Sequence, residues 1–117
     1  MLIAFSVAPS GAPSDPERAG TAVESADGSV HDAVAAAVAV VRASGLPHRT
    51  TSMFTEVEGE WDEVFAVVKA ATEAVLPFGA RVTLVLKADI RPGHTGEIDG
   101  KIERLERALD TDEPDAS

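Results

Sequence analysis

A chain of 117 residues, 44% hydrophobic and 26% charged, has the size and composition of one folded domain, which excludes a multidomain or globally disordered protein. Ten basic against twenty acidic residues give a net charge of −10, which argues against nucleic-acid and anionic-membrane partners, because both need a basic face. Cysteine is absent, so disulfides, thiol catalysis and thiolate metal sites are excluded and a reducing, cytoplasmic setting fits. No apolar run reaches the roughly 18 residues that mark a membrane-spanning helix.

The opening Met-Leu-Ile-Ala-Phe has no basic flank and reads as a strand, not a signal peptide. Residues 1–8 are apolar apart from Ser6 and form the predicted strand β1. Pro and Gly punctuate residues 9–28, which read as one long loop. Loops of about 20 residues are uncommon in compact domains and usually serve as lids or mobile insertions. Helix α1 is predicted over 30–44, with Ser29 as N-cap and Asp32 at its third position. Val30, Val34, Val38 and Val41 keep helical spacing, and Gly45 and Pro47 end the helix.

Two short strands follow, β2 at 48–51 and β3 at 54–58, with a tight turn around Ser52; one continuous strand would read similarly. Helix α2 is predicted over 60–76, with Glu60, Asp62 and Glu63 at its positive end. Trp61, Val64, Phe65, Val68, Ala71 and Val75 form its apolar stripe, and Pro77 and Gly79 stop it. Residues 81–90 give strand β4, and 98–109 give helix α3 with Ile102, Leu105 and Leu109 on one face. The domain therefore spans 1–109. Residues 110–117 hold four acids and no base and read as a disordered acidic tail.

The order β-α-β-β-α-β-α predicts an α+β fold, a ferredoxin-like βαββαβ sandwich with strand order 4-1-3-2 and an extra C-terminal helix. The sheet face away from the helices is normally wet, so its strands should alternate. β1 does not: Leu2 and Ala4 point one way, and Ile3, Phe5 and Val7 the other. β4 sets Val82, Leu84 and Leu86 against Val85. Apart from α3, little chain is left to cover the second face, which points to self-association through the sheet.

Four segments carry a resemblance. They are Phe5 to Gly11 (F-S-V-x-P-x-G), Ser44 to Pro47 (S-G-L-P), Met53 to Val64 (M-F-T-E-V-E-G-E-W-D-E-V) and Lys87 to Arg91 (K-A-D-I-R). In this order, over residues 1 to about 109, the chain resembles the thiamine-binding protein family. The resemblance implies a ferredoxin-like fold, a homotetramer built by pairing sheets, and binding of thiamine or its hydroxymethylpyrimidine part without known catalysis. The Pro/Ala-rich stretch between Gly11 and Ser29 is longer than is usual in the family, which bears on ligand choice.

Polar residues on apolar strands are the informative ones. Ser6 would line the ligand pocket on the resemblance; a hydrogen bond to nearby backbone is the plainer reading. Asp89, with Arg91 on the same face, would accept hydrogen bonds from an aminopyrimidine or balance a thiazolium; the alternative is a surface pair with Arg91 or Lys87. Thr50, Thr51, Met53 and Thr55 would form a rim of hydroxyl and thioether suited to a flat heteroaromatic ring. Glu56, Glu58 and Glu60 alternate as a solvated face, with Glu58 the candidate for a cation. Together with Pro9 of the first segment, these residues make up the implied ligand-binding set. Trp61 reads as a core or interface residue of α2.

His31, His48 and His94 lack metal-ligand spacing, and no phosphate loop or nucleophile elbow is present. Neither a metal, a cofactor nor catalysis is expected. The alternative to a thiamine-type binder is an oligomeric regulatory or scaffolding module that binds another metabolite or none.

Overall fold

The computed structural model describes residues 1–14, 26–93 and 95–112, except the side chains of 26–30 and 111–112. The elements are β1 (Leu2–Ser10), α1 (Ala26–Ala43), β2 (His48–Thr50), β3 (Thr55–Glu58), α2 (Trp61–Val75), β4 (Arg81–Asp89) and α3 (Glu97–Asp112). A short 3₁₀ turn, Leu76–Phe78, follows α2. The four strands form one antiparallel sheet in the order β2-β3-β1-β4, which is the ferredoxin-like arrangement anticipated from the sequence.

Strand pleating puts Ile3, Phe5 and Val7 of β1 on the face that meets α1 and α2. Val57 of β3 joins them, directly across from Ile3. The helices contribute Ala33, Ala37 and Val41 from α1 and Val64, Val67, Val68, Ala71 and Val75 from α2. Burying each large apolar side chain of this set stabilises the fold by about 1.5–3 kcal/mol before entropy is counted. α2 starts cleanly because Glu63 Oε1 accepts the Glu60 N–H at 3.1 Å, which satisfies a donor at the helix start. α1 ends before Gly45, which takes the left-handed φ of +76° that a helix C-terminus often requires.

Several boundaries differ from the sequence reading. β1 runs on to Ser10 because β4 pairs with it along its full length, Leu2 to Asp89 through Ser10 to Arg81. α1 begins at Ala26, so Ser29 lies inside the helix and is not its cap. The anticipated loop at 9–28 is therefore shorter at both ends, and its residues 15–25 lie outside those described. α3 runs to Asp112, three residues into the anticipated tail, whose residues 113–117 lie outside those described.

α3 crosses the outer face of the sheet at the end where β1 begins. Ile98 is buried there, and its N–H donates to Glu58 Oε1 at 3.3 Å. Arg49 of β2 bonds Asp99 at 2.6 Å, and Lys101 pairs with Asp89 of β4. The two-sided apolarity inferred from the strands is narrower than anticipated. On the outer face β4 presents Arg81, Thr83, Lys87 and Asp89, with Val85 its apolar residue. Leu84 faces the helices but stays exposed on this edge strand. Among the described residues, no helix is long and apolar enough to cross a membrane.

Candidate functional site

The pairing of β1 is uneven, and this creates the site. Its ladder with β3 stops at Phe5–Thr55, whereas its ladder with β4 continues for five more residues. Beyond Phe5 the main chain of β1 therefore has a strand on one side only. This is the edge situation in which a strand tolerates a proline such as Pro9. Into the space on the other side folds the β2–β3 turn, and α1 closes it from above.

The turn is held by one side chain. The Thr51 hydroxyl donates to Phe54 O at 3.0 Å and accepts from the N–H of Phe54 at 3.1 Å and of Met53 at 3.4 Å. The Thr51 N–H also donates to Phe54 O, at 2.8 Å. Thr50 and Thr55 are direct cross-strand partners, and Thr55 pairs with Phe5, so all three share the helix-facing side of the sheet. The Thr50 and Thr55 hydroxyls make no hydrogen bond among the described residues, which leaves them available to a ligand.

The result is a small open pocket of about 100 Å³. Phe5, Val7 and the α1 residues Val34, Ala37 and Val38 form its apolar walls, and the segment Thr50–Thr55 forms its rim. Ser6 also borders it. The pleat turns the Ser6 side chain to the opposite face from Phe5 and Val7, so its main chain is what edges the pocket. Among the described residues, none that lines it carries a charge. Such a site can sandwich a flat neutral ring between apolar walls and meet its edge with hydroxyls and main-chain groups. At about 100 Å³ it falls well below the roughly 300–1,000 Å³ of drug-sized sites, so a group no larger than about one ring fits inside it and any remainder of a ligand would lie outside.

The structure thus gathers Ser6, Thr50, Thr51, Met53 and Thr55 of the anticipated set in one place. It sets the others elsewhere. Asp89 pairs with Leu2, at the start of β1, while Ser6 pairs with Val85. The expected meeting of Asp89 and Ser6 on one pocket wall therefore does not occur, because an antiparallel ladder brings the end of β4 to the beginning of β1. Asp89 pairs with Lys101 and not with Arg91 or Lys87. Arg91 lies 3.9 Å from the buried carboxylate of Glu97, which also holds Arg104 at 2.7 Å. Glu58 is buried under the start of α3 and is not part of a solvated face. Pro9 packs beside Gly79, away from the pocket.

Trp61 is not a core residue and does not line this pocket. It is exposed and stacks on Phe65, with centroids 5.3 Å apart and an interplanar angle of 14°. Among the described residues, no group of three or more His, Asp or Glu side chains is placed to hold a metal ion, and His94 lies outside them. Sequence reasoning missed Val34, Ala37 and Val38 as pocket walls. Their valine spacing was visible, but it reads the same for a helix that merely packs.

Fold and pocket define a ferredoxin-like α+β domain with a small, uncharged cleft where β3 leaves the sheet. The chain belongs to the thiamine-binding protein family, whose model matches residues 19–106. It is 43% identical over 110 residues to the UPF0045 protein Mb1933 of Mycobacterium bovis, covering 93% of this chain and 94% of that one. A second relative, the UPF0045 protein sll0230 of Synechocystis, is 40% identical over 83 residues, covering 70% of this chain and 69% of that protein. Among solved structures, a domain of unknown function from Bacillus cereus superposes with a TM-score of 0.68 at 30% identity, over 88% of this chain and 86% of that one. A candidate thiamine biosynthesis or salvage protein of Thermotoga maritima superposes with a TM-score of 0.62 over 90% of this chain and 99% of that one. Its 23% identity supports the shared fold alone.

Proposed function

We propose that this chain binds the hydroxymethylpyrimidine ring, free or as part of thiamine, and does not transform it. The observation that carries the reading is the uncharged pocket at Phe5–Val7, α1 and Thr50–Thr55, sized for one ring. An aminopyrimidine is flat, neutral near pH 7 and edged with donors and acceptors. Thr50, Thr55 and the free side of the β1 main chain offer complementary groups. The cationic thiazolium of thiamine finds no counter-charge among the described lining residues, so it would project toward solvent, where the net charge of −10 favours it weakly. Family membership supports the thiamine connection.

The reading includes self-association, with a tetramer as the expected state, through the outer sheet face on which Val85 is 50% exposed. A cytoplasmic location completes it. Titration calorimetry with hydroxymethylpyrimidine, thiamine and thiamine phosphates tests the ligand. The expected result is binding of all pyrimidine-bearing compounds within about tenfold of one another, because the parts beyond the ring stay outside. Absence of heat with every compound would overturn the proposal in favour of an assembly module.

A further inference from the structure

Three pieces of chain that lie far apart in sequence meet beside the first turn of α3. They are residues 46–49 at the entry to β2, residues 58–59 at the end of β3, and residues drawn from 95–99 where α3 begins. With Glu63 of α2 they border an open cleft of about 670 Å³, inside the roughly 300–1,000 Å³ of small-molecule sites. The main chain fixes its frame. The Glu58 N–H donates to Pro47 O at 3.0 Å, and the Gly59 N–H donates to Met1 O at 3.0 Å. Leu46, Pro47 and Ile98 supply apolar wall. The cleft lies at the other end of β3 from Thr55, so it is separate from the threonine-rimmed pocket.

Glu58 is the informative group in this cleft. It is 6% exposed, and Oε1 accepts the Ile98 N–H at 3.3 Å, but its second carboxylate oxygen has no partner among the described residues. Capping α3 uses one oxygen and no charge, which Ser, Thr or Asn supplies as well. A carboxylate adds a charge where burial penalises it, so it calls for a cation. The neighbouring groups do not provide one. Arg49 turns to Asp99 at 2.6 Å, and His48 Nδ1 donates to Leu46 O at 2.9 Å. The described lining holds one basic residue, Arg49, against the acids Glu58, Glu63 and Asp99. No three such side chains among the described residues are placed to hold a metal ion, which leaves an organic cation. We infer that the cleft binds a small primary ammonium with an apolar body. Its N–H groups donate to the open oxygen of Glu58, and its body lies along Leu46, Pro47 and Ile98. A single open oxygen suits a point-charge ammonium, because a guanidinium fork wants both oxygens and one is taken. A quaternary nitrogen has no N–H to offer.

Titration of the full isotope-labelled chain with n-hexylammonium, followed through backbone amide resonances, tests this. 1-Hexanol and hexanoate serve as neutral and anionic probes of matched length. Hexylammonium should shift residues 46–49, 58–59 and 95–99 and leave the threonine rim silent. Its affinity should exceed that of hexanol by at least about tenfold, the worth of one hydrogen bond to a charged group. Glu58→Gln keeps an oxygen for the Ile98 N–H and removes the charge, and should weaken hexylammonium by about 10- to 100-fold. Equal binding by hexanol or hexanoate, or by the Gln variant, would overturn the inference. So would shifts centred on the threonine rim, or none at millimolar hexylammonium. If Glu58→Gln loosens α3, the wild type decides. Nuclear Overhauser contacts are expected between the methylene beside the ammonium and the Glu58 side chain. A bound complex that lacks them would overturn the inference.

Discussion

Thr51 and Thr55 are neighbours in the site with different jobs. The Thr51 hydroxyl is spent on the turn, donating once and accepting twice, while that of Thr55 has no such partner among the described residues. Thr51→Val should therefore lower stability by about 1 kcal/mol and loosen the pocket rim as well. Thr55→Val should leave the melting temperature unchanged and reduce pyrimidine affinity by about 2- to 10-fold, the worth of one neutral hydrogen bond. Thermal melts and calorimetry on both variants separate these roles. Gly79 is a second single-residue constraint, since a Cβ there would stand 2.8 Å from both the main-chain N and O of Ser10. Gly79→Ala must push β1 and the 3₁₀ turn apart, and denaturant unfolding should register a loss of about 1–3 kcal/mol. The threonine rim was legible in the sequence because a hairpin joins residues only a few positions apart. The place of Asp89 was half legible. The anticipated fold already pairs β1 and β4 antiparallel, which brings the end of β4 to the start of β1; only the register, Leu2 opposite Asp89, lay beyond the residue types.

At the scale of elements, α3 is held to the sheet by polar groups as much as by Ile98. Glu58 accepts from the Ile98 N–H at the helix start, the job an N-cap side chain usually does from within the same segment. Glu58→Ala should cost about 1–2 kcal/mol, close to the loss of a cap. Amide exchange should then rise across the first turns of α3 while the core of β1 and α2 stays protected. Equal exchange in both proteins would show that the apolar contact alone holds the helix. Asp89→Asn removes a half-exposed ion pair with Lys101, so little stability should change. Pyrimidine affinity should not change either, because Asp89 sits at the other end of β1 from the pocket. Element types and order were readable from periodicity and from glycine and proline punctuation. The capping role of Glu58 was hidden, because the strand that carries it is distant in sequence from the helix it caps.

At the scale of the molecule, one face of the sheet builds the core with α1 and α2, and the other is shared between α3 and open surface. The division gives each face a task. The helix-facing side ends in the pocket, where β3 leaves β1, and the outer side is where the proposed self-association would take place. The two are independent in this account, so variants that break the assembly should keep the ligand. The most direct measurement of where a pyrimidine binds is a titration of the isotope-labelled protein with hydroxymethylpyrimidine, followed through its backbone amide resonances. Shifts are expected at Phe5–Val7, Val34–Val38 and Thr50–Thr55, with Glu58, Asp89 and Arg91 unmoved. Shifts centred on Asp89 and the start of α3, with the threonine rim silent, would contradict it.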